Sequence, residues 1–187
     1  MLLLVGLGNP GSDYTNTRHN IGFKIIDAIN LHFKLSKQKP KFKGLLTTGN
    51  IEEKKIYAIK PLTFMNNSGT AIKELIDYFK IDAKDVIVFH DDMDIDFGKI
   101  KAKFGGSSAG HNGIESIDKF IGKEYSRVRI GIGHPKQKKK VNNHVLEDFK
   151  EDEEEKIKEI TENIVKQIPT LIDKKMDLFS SKVNQNL

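Results

Sequence analysis

Short apolar runs alternate along this 187-residue chain with segments of helical period, and that alternation leaves it few folds. Leu2 to Leu7 reads as a buried strand, and Ile21 to Phe33 as a helix with Gly22, Ile25, Ile26, Ile29 and Phe33 on one face. A hairpin is expected next, Leu45 to Ile51 and Lys55 to Lys60 around the polar turn Glu52 to Lys54. Ala71 to Phe79 repeats the helical period behind NNSG, which offers N-cap residues. Asp85 to His90 is a buried-strand pattern, Lys99 to Phe104 alternates as a half-exposed strand does, and a helix near Gly113 to Ile121 leads to the strand RVRIGIG from Arg127. The chain is then helical from Glu151 to about Ile168, where Pro169 ends or kinks it before a last segment with Met176 and Phe179. Strands alternating with helices predict a sheet flanked by helices. With no internal repeat and no linker, we expect one α/β domain.

Size and charge narrow the class. A 37% hydrophobic content suits one substantial core. No apolar run approaches the roughly 20 residues of a membrane span, and MLLLV lacks the length and basic flank of a signal peptide, so a cytoplasmic protein without a membrane partner is expected. The absence of cysteine excludes disulfides, thiolate metal sites and a Cys nucleophile. Charge is segregated: Lys136, Lys138, Lys139 and Lys140 form one basic run, Lys34 to Lys43 another, whereas Glu147 to Glu155 is mostly acidic. Such runs are either solvated surface or a grip on a phosphate-bearing partner.

Gly6, Gly8 and Gly11 in VGLGNPG satisfy the spacing of a dinucleotide-binding turn. The context does not. Pro10 stands where a first helical turn would donate N–H groups, the next residues are polar rather than periodic, and no Asp or Glu occurs from Ala28 to Ile51 to meet a ribose. Another reason is needed for a glycine turn that feeds Arg18, His19 and Asn20.

Four polar clusters follow expected strands or precede expected helices: Asn9 to Asn20, Phe64 to Ser68, His90 to Asp96 and Gly105 to Asn112. In an open α/β sheet such loops converge on one edge, where ligands bind. His19 suits a general base because imidazole titrates near neutrality, or else it is a structural loop histidine. Asp91, ending an apolar strand, could fix its tautomer and support its charged form, or could cap a turn. No Ser sits in a G-x-S-x-G elbow, so water is the expected attacking group. Asn9, Asn66 and Asn112 supply donors and acceptors, for turns or for substrate. DDMDIDFG begins like a calcium loop but has Phe97 at its sixth position and Lys103 at its twelfth, so no dedicated metal site is expected. Gly105 to Gly110 could present N–H groups to an anion or form an ordinary turn.

Taken in order, GLGNPG with Tyr14 and TRHNIG, PLTFMNNSG, HDDMDI, GHNG and RIGIGHP resemble the bacterial peptidyl-tRNA hydrolase family over nearly the whole chain. The resemblance implies a single-domain three-layer α/β/α sandwich with a mixed, mostly parallel sheet, usually monomeric and without a required cofactor. It implies cleavage of the ester joining a peptide to the 3'-terminal ribose of tRNA, returning tRNA from peptides dropped off ribosomes. His19 would be the base, Asp91 its support, and Asn9 a reader of N-blocked substrate. Tyr14, Phe64, Asn66 and Asn112 would touch substrate, with Met65 and His111 lining the same crevice. A lid is expected near residues 134–155, followed by a C-terminal helical segment. Lys101, Lys103 and Arg129, with the run Lys136 to Lys140, would grip phosphates of the tRNA acceptor end, a contact expected to depend steeply on salt. Two rivals remain, a nucleotide-dependent oxidoreductase and a non-catalytic RNA-binding module, and the second leaves His19 and Asp91 without a shared purpose.

Overall fold

A computed structural model describes residues 1–135, 141–185 and 187. Its strands are β1 (Leu2–Gly6), β2 (Lys39–Lys41), β3 (Gly44–Ile51), β4 (Lys54–Pro61), β5 (Val86–Asp92), β6 (Ile100–Phe104) and β7 (Ser126–Gly131). The helices are α1 (Ile21–His32), α2 (Ser68–Phe79), α3 (Asn112–Ile121), α4 (Val141–His144), α5 (Glu151–Lys166), α6 (Ile168–Ile172) and α7 (Met176–Gln185). Among the described residues the strands form a single sheet in the order β2-β3-β4-β1-β5-β7-β6. The β4, β1, β5 and β7 strands run parallel, while β2, β3 and β6 pair antiparallel to their neighbours. The sheet is therefore mixed and parallel at its centre, as expected.

Because side chains alternate along a strand, β1 feeds two cores. Leu2 and Leu4 join Ile25, Ile29, Ile160 and Ile164 of α1 and α5, whereas Leu3 and Val5 join Ile72, Leu75, Ile114 and Ile117 of α2 and α3. Those two cores are the seams between the sheet and the helix layers of a three-layer sandwich. Central strands buried on both faces explain why the first and fifth strands read as unbroken apolar runs.

Two elements differ from expectation. The β2 strand has three residues, two of them lysine, around Pro40. It sits at the sheet edge, where a missing N–H is tolerated and charge discourages pairing with another chain, so it carries no apolar signature. The four-residue α4 is too short for periodicity to reveal. As expected, the long helix ends just ahead of Pro169, at Lys166, and the proline itself stands in the first turn of α6, where its absent N–H costs nothing. The opposite edge, β6, is covered by α7. Asn184 Oδ1 accepts the Ile100 N–H at 3.0 Å, its Nδ2 donates to the Ile100 carbonyl at 2.8 Å, and Ser180 Oγ accepts from Ala102 at 2.8 Å. Among the described residues no helix is long and apolar enough to cross a membrane.

The glycines of the first loop have a packing role. A Cβ on Gly6 would strike the Gly22 carbonyl, and one on Gly22 would lie 2.5 Å from the Phe89 oxygen and collide with Leu7 backbone. The first turn of α1 thus rests directly on the ends of β1 and β5. Only Gly11 of the three needs a positive φ, 111°.

Candidate active site

At the carboxyl ends of β1, β4 and β5 the four predicted loops enclose a crevice of ≈ 370 Å³. Asn9, Tyr14, His19, Phe64, Met65, Asn66, Asp91, His111 and Asn112 all line it. Lys103 and Arg129 do not belong to its lining; they lie on the adjacent β6–β7 pair.

The first loop is set by two asparagines. Asn20 Oδ1 accepts the Asn9 N–H and Asn20 Nδ2 donates back to the Asn9 carbonyl, both at 2.9 Å. This reciprocal pair folds residues 9–20 onto themselves and buries Arg18, His19 and Asn20 in a single 3-10 turn before α1. Asn9 Oδ1 in turn accepts the Met65 N–H at 2.8 Å, which fixes which end of the amide is the donor. Asn20 is a site-forming residue to which the sequence assigned no role of its own, its one signal being its place in a polar run immediately before an apolar helix.

His19 Nδ1 lies 2.9 Å from each carboxylate oxygen of Asp91. Since a carboxylate only accepts, the Nδ1 proton points at Asp91 and the lone pair of the neutral ring is on Nε2. Burial lowers the His19 pKa, but the charge of Asp91 and its hydrogen bond outweigh burial and raise it above the ordinary 6.5. Burial opposes ionisation of Asp91 as well; the facing imidazoles His19 and His111 override it and hold the carboxyl well below the usual range.

His111 completes the cluster. Its Nε2 is 2.9 Å from Asp91 Oδ1, and its Nδ1 caps α3 by accepting the N–H groups of Gly113 and Ile114 at 3.1 and 3.3 Å. Two donors at Nδ1 leave the ring's proton on Nε2, so His111 is a fixed donor to Asp91. His19, Asp91 and His111 bring potential ligand atoms within 4.8 Å of one another. The helix start that occupies His111 Nδ1 nevertheless denies Nε2 a lone pair, so the donor set suits a hydrogen-bonded chain rather than a metal ion. Behind it, His90 Nδ1 donates to the Asp91 carbonyl at 2.7 Å, and burial, with the neighbouring His111, pushes its pKa down to about 3.

The aromatic end of the crevice is strained. Phe64 sits at φ 58°, ψ 157°, a region that glycine alone occupies readily, and projects a half-exposed ring edge-on to Tyr14 with centroids 6.4 Å apart. Asn66 and Asn112 are exposed at the starts of the segments that enter α2 and α3. On the β6–β7 edge, Arg129 Nε is paired with Asp92 Oδ2 at 2.8 Å. Lys103 has its pKa lowered by burial and by Arg129 and Arg127, the sign of a crowded cationic patch. The run Lys136 to Lys140 lies outside the described residues.

A buried His–carboxylate pair in an amide-lined crevice of an α/β sandwich has the parts of a hydrolytic enzyme, a proton acceptor beside amide donors. A family model described as peptidyl-tRNA hydrolase matches residues 3–187. A peptidyl-tRNA hydrolase of Pelagibacter ubique (strain HTCC1062) is 74% identical over 184 residues, covering 98% of this chain and 99% of that protein. One from Ehrlichia ruminantium (strain Welgevonden) is 46% identical over 97% of this chain and 93% of its own. The crystal structure of peptidyl-tRNA hydrolase from Acinetobacter baumannii superposes with a TM-score of 0.91 at 34% identity, covering 98% of this chain and 94% of that one. The chain belongs to the peptidyl-tRNA hydrolase family. It is an enzyme that hydrolyses the ester bond of peptidyl-tRNA.

Proposed function

We propose that His19 is the general base of this hydrolysis. Its unprotonated Nε2 takes a proton from a water that attacks the ester carbonyl carbon; the tetrahedral intermediate then expels the 3'-oxygen of the ribose, which receives the proton back from the imidazolium. Asp91 fixes the tautomer and supports the charged ring, the role a carboxylate plays beside any imidazole base. The observation that carries the reading is the Nδ1 contact of His19 with both oxygens of a buried carboxylate, at 2.9 Å.

In this reading Asn9 Nδ2 meets the blocked amino end of the peptide, while the amides of Asn66 and Asn112 orient the ester and stabilise charge on its oxygen. Tyr14, Phe64 and Met65 receive the peptide, and Lys103 and Arg129 attract tRNA phosphates from the neighbouring edge. The enzyme acts as a cytoplasmic monomer without a cofactor, recycling tRNA from peptides dropped off ribosomes; the expected lid near 134–155 lies partly outside the described residues, and of its described part Asn142, Val145 and Leu146 border the crevice.

Incubation with N-acetyl-aminoacyl-tRNA and, separately, with free aminoacyl-tRNA tests the assignment. We expect rapid release from the first alone, and a fall in kcat of roughly 10²–10⁴-fold for His19→Ala with tRNA binding retained. Near-full turnover in that variant would sink the base.

A further inference from the structure

Arg18 directly precedes His19 and is almost completely buried, although no part of the chemistry calls for a cation there. Its Nη1 donates to the carbonyls of Glu147 and Asp148 at 3.1 and 2.7 Å, and its Nη2 meets Glu153 Oε2 at 2.8 Å. The guanidinium also lies 5.4 Å from the centroid of Phe149. Backbone bonds run in parallel: Arg18 N–H to Glu147 O at 3.0 Å, His19 N–H to Val145 O at 2.8 Å and Phe149 N–H to Asn16 O at 3.2 Å. Thr17 and Asp148 form an isolated bridge between the same two stretches.

The stretch held in this way is part of the crevice. Val145 and Leu146 line it, directly ahead of the residues whose carbonyls Arg18 grips. Glu153 Oε2 also accepts the Lys150 N–H at 2.8 Å, so the clamp reaches the first turn of α5. A buried guanidinium that finds two carbonyls and a carboxylate suits the planar fork of arginine and not the point charge of lysine.

We propose that Arg18 is a positioning residue: its guanidinium fastens the 145–149 stretch, whose Val145 and Leu146 wall the crevice, and the start of α5 behind it, to the backbone that presents His19, so that base and wall are placed by one clamp. The proposal rests on the reading of His19 as the base. It makes the distance between the reacting water and the wall a property of Arg18. Misplacement of a catalytic group by an ångström is enough to slow a reaction a hundredfold.

Arg18→Lys and Glu153→Gln, each in the full-length chain, test it by amide exchange and by kcat, KM and the pH profile on N-acetyl-aminoacyl-tRNA. We expect exchange at 145–149 to accelerate about tenfold, kcat to fall about tenfold or more in Arg18→Lys and less in Glu153→Gln, and the acid limb of kcat to move. Should Arg18→Lys not fold, Glu153→Gln carries the test alone. Faster exchange with unchanged kcat and acid limb overturns the coupling, as does unchanged exchange. Turnover surviving in His19→Ala overturns the base assignment instead, and the exchange readout then still decides whether the clamp exists.

Discussion

The two histidines that face Asp91 differ in what their remaining nitrogen meets. His111 gives Nδ1 to a helix start and is held as a donor, whereas His19 keeps Nε2 for the crevice. Only the second can accept a proton from water. With His19 as the proposed base, and its pKa raised by Asp91 above 6.5, activity is expected to rise with pH through a value above that of free histidine. Asp91→Asn removes the attraction and leaves burial, so the acid limb of kcat/KM moves to lower pH while kcat falls by roughly 10²–10⁴-fold. A pH–rate profile of the variant checks both, and an unmoved acid limb would show that another group sets it. The roles legible at this scale were those of residue type, since an imidazole and a carboxylate in separate polar loops suggest a pair. The tautomers were not legible, because they depend on Gly113 and Ile114, whose N–H groups have no sequence signature.

Most elements were legible from period alone. Boundaries moved by a few residues, as at Ser68, where α2 begins three residues before its apolar stripe. What period could not foresee was contact between backbones. The spacing of Gly6 and Gly8 mimics a nucleotide turn, yet Gly6 is small because α1 lies on it, and Gly22 is small because β1 and β5 lie beneath. Gly22→Ala is expected to destabilise the protein by about 1–3 kcal/mol, the usual cost of overpacking, and to lower kcat as well because α1 follows His19 directly. Urea unfolding alongside turnover measures the two effects. A variant of unchanged stability would show that the helix can rise off the sheet without cost.

At the scale of the whole molecule, the shifted His90, His19 and Asp91 are expected to make stability depend on pH. His90, with its pKa lowered to about 3, binds a proton near 6.5 when unfolded and not when folded, so acidification below pH 6.5 favours unfolding. His19 has the opposite sign: its contribution is complete below 6.5 and is lost only as pH rises through its folded pKa. Asp91, depressed in the fold, adds a loss only as pH falls below the ordinary carboxylate value of 3.8. Between pH 6 and 4, then, His90 is the one of the three whose protonation favours unfolding. His90→Phe should flatten the unfolding free energy over that range, and an unchanged slope would place the linkage elsewhere.

By itself the sequence determined the α/β alternation, the existence of four polar loops between its elements and the motifs that mark the family, because periodicity and residue type are local properties. The tertiary structure decided which of those polar groups share a carboxylate, which nitrogen of each histidine is occupied, and what the arginine before His19 binds. Those are relations between residues as far apart as 72 positions for His19 and Asp91 and 135 for Arg18 and Glu153, and only the packing of α1 and α5 on the sheet brings them within hydrogen-bond reach.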